Sequence, residues 1–113
     1  MSNEEQLETI ELTIEQAKEA VAMADALTAL QNSKHFKKVI STGYFEKEAT
    51  RLVFLKGDPS MQEEADQAQV LKAIDAVSLL RQHFITINIL GRMAEKSIKD
   101  CEETREEILS EGE

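Results

Sequence analysis

The chain has no tryptophan, one tyrosine, four phenylalanines, one proline, four glycines and one cysteine in its 113 residues. With aromatics at 4 %, a core must be filled by Ala, Leu, Ile, Val and Met, which suits close helix packing better than a β-sandwich. Glycine and proline are too scarce for a multi-stranded sheet, which needs turn residues at short, regular intervals. One cysteine closes no disulfide within the chain, so nothing calls for an oxidising compartment. No stretch approaches the roughly 20 apolar residues of a membrane span. The opening MSNEEQLETIE is acidic and polar where a signal peptide needs a basic start and an apolar run, so a cytosolic protein is expected.

What the chain does have is acid. The formal net charge is -9, which disfavours nonspecific binding to nucleic acid or to an anionic membrane. The distribution is uneven: residues 1–33 carry seven acids and one lysine, and residues 34–56 carry six bases and two acids. Residues 57–100 are nearly balanced, and 101–113 carry six acids and one arginine. A basic middle therefore lies between acidic ends.

The longest pattern runs over 58–110. Ala73, Val77, Leu80, Phe84, Ile87, Gly91, Ala94, Ile98, Cys101, Arg105 and Ile108 alternate by four and three, the spacing that keeps one stripe of a helix against a partner. The run HFITINIL at 83–90 has strand propensity, but the four-three spacing passes through it and its flanks lack hairpin residues. Gly91 marks either a kink or a close helix crossing. Leu71, Ile74, Ile85 and Ile89 widen the apolar face around 77–90, so two shorter helices are expected to fold back there. Beyond Gly91 the stripe narrows among charges, which suggests a coiled-coil partner from another chain.

Upstream, residues 1–12 are expected to fray, with four glutamates among scattered Leu7, Ile10 and Leu12. Thr13 with Gln16 forms a capping-box pattern, so a helix is expected over 13–32 with Ala17, Ala20, Met23, Ala24, Leu27 and Leu30 on one face. Ser33 caps a short helix over 33–42 that stops at Gly43. A further helix spans 44–56, and Gly57, Asp58 and Pro59 set the start of the long one. The expected fold class is all-α: a small antiparallel bundle in one domain, 1–113. It is built on one long C-terminal helix that extends beyond the bundle as a coiled-coil-like arm.

No catalytic, cofactor or metal site emerges. Cys101 sits among Asp100, Glu102, Glu103, Glu106 and Glu107, an anionic setting unsuited to a thiolate nucleophile, and reads as a seam residue. His35 and His83 are far apart and lack ligand-spaced partners. Adjacent glutamates at 4/5, 63/64, 102/103 and 106/107 point to different sides of a helix and read as solvation. The basic patch of Lys34, Lys37, Lys38, Lys47, Arg51 and Lys56, with Tyr44 and Phe45 among the charges, suits phosphates and a base. It equally suits the acidic helices of this chain or of a neighbour, and the net charge favours that reading.

The segments FKKVISTGYFEKEATRLVFLKGDPSMQ, IDAVSLLRQHF and GRMAEKSIKDCEETREEIL resemble small acidic helical proteins encoded by tailed bacteriophages, whose function is typically unassigned. The resemblance runs from about residue 13 to 109 and carries over no catalytic residues. It implies a phage context in the host cytoplasm or the virion, near particle assembly. The expected function is a non-enzymatic, self-associating assembly protein, scaffold-like, chaperone-like or a minor structural component. Phe84, Ile87, Gly91, Ala94, Ile98, Cys101 and Ile108 form its expected self-association or partner interface. Expected partners are further copies and other phage structural or host proteins, with neither nucleic acid nor membrane. The alternative is a monomeric adaptor or inhibitor that binds a host protein through the same stripe.

Overall fold

A computed structural model describes residues 2–112. Among these residues there is no strand, and the fold is all-α around one long C-terminal helix. Helix α1 is Asn3–Gln31 and α2 is Lys34–Phe36; a π-wound segment, Lys37–Glu48, leads without a break into α3, Ala49–Lys56. A 3-10 turn, Pro59–Met61, precedes α4, Glu64–Glu111. The continuous stretch from α2 to α3 is referred to below as the middle helix. A single domain over 1–113 is the reading from sequence, with residues 1 and 113 outside the described residues. Within the described residues the contacts gather into two compact units: residues up to Leu27 with those from Thr86 onward, and Thr28–Ile85. The 48-residue α4 is longer than either helix able to pair with it, so its length is divided between them.

In the first unit α1 runs antiparallel to the second half of α4. Gly91 is buried against Ala20 and Ala24, and Ile10 meets Met93, Ser97, Cys101 and Thr104 around one cleft. Residue numbers thus fall along α1 as they rise along α4. The inward positions of α1, namely Leu7, Ile10, Ile14, Ala17, Val21, Ala24 and Leu27, are all buried or half-buried and follow the same three-four spacing as the seam they face. This corrects the expected frayed start. Of residues 1–12, residue 1 lies outside the described residues and the chain is helical from Asn3, because Leu7 and Ile10 extend the heptad towards the N-terminus. The Ser2 hydroxyl accepts from the Glu5 N–H at 3.2 Å, and Glu4 and Glu5 occupy the first turn, where acids suit the helix dipole. Thr13 is not a cap: its hydroxyl donates to the Thr9 carbonyl at 2.9 Å from within the helix.

In the second unit the middle helix packs along the first half of α4. Leu52, Val70 and Val77 are buried, with Ala73, Ile74 and Leu80 half-buried beside them. Ser33 is the cap expected, accepting from the Phe36 N–H at 3.3 Å. The helix does not stop at Gly43, and no described glycine takes a positive φ. Instead the backbone widens to i→i+5 winding across Lys37–Glu48. A Cβ at Gly43 would stand 2.8 Å from the Lys38 carbonyl oxygen, so the residue lacking one suits this winding.

The π-winding explains which aromatic rings meet. Phe36 and Phe45 are nine residues apart, about two and a half turns of an α-helix, which would put them on opposite sides. In the wider winding nine residues come to about two turns. Both rings accordingly reach Phe84 of α4, at 5.8 and 6.0 Å between centroids.

The turn between these helices is held by side chains. Asp58 caps the 3-10 turn, accepting from the Ser60 hydroxyl at 2.7 Å and the Ser60 N–H at 2.8 Å. These bonds hold its carboxyl below the ordinary carboxylate range. Their contribution is present above the ordinary value of 3.8 and is lost as pH falls through the lowered one. Gln62 and Gln67 both donate to the Lys56 carbonyl, at 3.0 and 2.9 Å, satisfying a helix end that has no left-handed glycine. Helix α4 begins at Glu64, after this turn, rather than at 58. From there it passes unbroken through 83–90 and Gly91.

Candidate interaction surfaces

The expected interface residues fall on the inward side of α4. Gly91 and Ala94 are buried, and Phe84, Ile87, Ile98, Cys101 and Ile108 are half-buried. Phe84 belongs to the aromatic cluster with Phe36 and Phe45, and Gly91 lies against Ala24. The seam beyond Gly91 was expected to lack a partner within the chain, and this is corrected: α1 lies along it. The physical reason is the continuous heptad of α1, which supplies enough helix to reach the end of the stripe. Arg105, the charged seam position, is half-buried and lines one cleft with Glu11, Ile14 and Glu15.

Cys101 is a free, half-buried thiol in an open cleft of about 550 Å³ with Ile10, Met93, Ser97 and Thr104, rimmed by Lys96 and Asp100. Among the described residues no three His, Cys, Asp or Glu side chains are grouped so as to hold a metal ion, and no helix is long and apolar enough to cross a membrane.

The six residues of the basic patch, Lys34, Lys37, Lys38, Lys47, Arg51 and Lys56, are all exposed on the middle helix. Arg51 is engaged by Glu48 through a 2.6 Å bond, and this hydrogen bond holds the Glu48 carboxyl below its ordinary range. Lys34, Lys38, Thr42, Lys47, Arg51 and Phe54 follow one another by three to five residues along the outward side, the step of five falling in the π-wound segment.

Two outward surfaces escape a reading by composition. On α1, Glu5, Glu8, Leu12, Glu15, Glu19 and Met23 form a second stripe at three-four spacing, every member exposed. On α4, Ile89, Leu90 and Met93 lie exposed within little more than one turn. The signal for the first was the heptad from Leu7 onward, since fixing the inward side fixes the outward one. Among the described residues the ion pairs are Lys18–Glu15 and Arg51–Glu48, each between neighbours on one helix.

In comparison with known proteins, no protein family, no curated protein and no solved structure matches the chain.

Proposed function

We propose that the chain is a non-enzymatic assembly protein that works by self-association, as a scaffold-like, chaperone-like or minor structural component of a tailed-phage particle. The observation that supports this most is the apolar surface left outside both helix pairs. Leu12 and Met23 on α1, Val39, Val53 and Phe54 on the middle helix, and Leu79 on α4 are each more than half exposed, Phe54 by 74 %. Single exposed apolar residues are ordinary, but recurrence along the outward side of three helices is what a surface built to be covered carries. The phage setting draws its support from the sequence resemblance. Further copies are the partners proposed first, followed by other phage structural or host proteins.

The test is the absolute mass in solution, by light scattering coupled to size exclusion over a range of concentration. The expected result is a defined multiple of 12.7 kDa. A mass of 12.7 kDa at every concentration overturns self-association and favours a monomeric adaptor that presents the same surface to a host protein.

A further inference from the structure

The outward stripes of α1 and of the middle helix are opposite in charge and alike in length. The α1 stripe presents Glu5, Glu8, Glu15 and Glu19 with Leu12 and Met23 between and beyond them. The middle-helix stripe presents Lys34, Lys38, Lys47 and Arg51 with Thr42 among them and Phe54 at its end. They span nineteen and twenty-one residues; the α1 stripe is about 27 Å long at about 1.5 Å per residue, and the wider, shorter-rising winding of Lys37–Glu48 brings the longer middle-helix stripe to a comparable length. Every one of these side chains is exposed, and no ion pair among the described residues joins one helix to another.

Resting on the self-association proposed above, we infer that the acidic stripe of α1 in one copy lies along the basic stripe of the middle helix in a second copy. Charge complementarity identifies the occupant, because each stripe finds its counterpart on the same polypeptide. It also offsets the repulsion between two molecules of net charge -9. The charges steer and set register, while Leu12, Met23 and Phe54 supply the desolvated contact that holds the pair. Glu15 and Arg51 already have helix neighbours, so Glu8 and Glu19 on one stripe and Lys38 and Lys47 on the other are the residues to reverse.

The experiment compares the full-length chain with two variants, Glu8→Lys/Glu19→Lys and Lys38→Glu/Lys47→Glu, by light-scattering mass. Far-ultraviolet circular dichroism checks that each retains its helix content. Each variant alone is expected at 12.7 kDa under conditions where the unchanged chain associates. An equimolar mixture is expected to regain the unchanged chain's mass, because each variant then offers the other's complement. A second readout needs no variant. Raising salt from about 0.1 M to about 1 M shortens the Debye length from about 10 Å to about 3 Å and is expected to weaken the association, lowering the unchanged chain's average mass at a given concentration. Variants that keep the unchanged mass, a mixture that fails to recover it, or association indifferent to salt each overturn this contact while leaving self-association standing. An unchanged chain that is monomeric throughout overturns both.

Discussion

Replacing Gly91 by valine is expected to open the pairing of α1 with α4 and to lower stability by on the order of 3 kcal/mol. Even the first added carbon of a side chain at 91 would land on the Ala24 Cβ, and the backbone of α1 at Ala20 stands close behind it, 3.6 Å away. Gly91→Ala separates two opposed effects. Alanine is favoured over glycine in a helix by about 1 kcal/mol, whereas overpacking a close crossing costs about 1–3 kcal/mol. The crossing is expected to win, so the better helix former gives the less stable protein. In the Gly91→Ala background, Ala24→Gly moves the methyl from one helix to the other and is expected to restore part of the loss. A favourable coupling between the two sites is the signature. Urea unfolding followed by circular dichroism measures all four chains, and additive effects at the two positions would rule out the contact.

Phe84→Ala is expected to cost about 3 kcal/mol, the lower end of the range for buried phenylalanine, because the ring is half-buried. The loss has two parts: apolar burial, and the tilted and edge contacts with Phe36 and Phe45, each worth about 0.5–1.5 kcal/mol. Phe54→Ala is the matched control. That ring is 74 % exposed, and its removal is expected to change stability by less than about 0.5 kcal/mol. Equal effects from the two substitutions in thermal unfolding would show that the aromatic cluster does not hold the second unit.

The inward side of α4 was legible because a heptad is periodic. All eleven seam positions from Ala73 to Ile108 are buried or half-buried, and the β-branched run at 83–90 is helical as its spacing demands. The start of α1 was obscured because Glu4, Glu5, Glu8 and Glu11 dominate the composition of the first residues, while Leu7 and Ile10 extend a heptad visible only when α1 is read backwards from Ala24. Gly43 and the Thr13 pair misled for one reason: local cap chemistry is permissive, and a packed helix passes over it where tertiary contacts continue. The π-winding has no local signature. Its trace in the sequence is a pair of phenylalanines nine residues apart that no α-helix can turn towards the same ring. The covering of the seam beyond Gly91 by α1 follows from helix length, and was missed once α1 was taken to begin at Thr13.

The central claim is that the second half of α4 is paired within its own chain, leaving the outward stripes for association. Residue-resolved amide hydrogen exchange of α4, on concentrated protein and after dilution to the monomer, tests it most directly. Protection from Gly91 to Ile108 that matches the Val70 to Phe84 segment and survives dilution is the result this account predicts. Protection confined to concentrated protein, with 91–108 exchanging freely on dilution, would contradict it by placing the partner of that seam on another molecule.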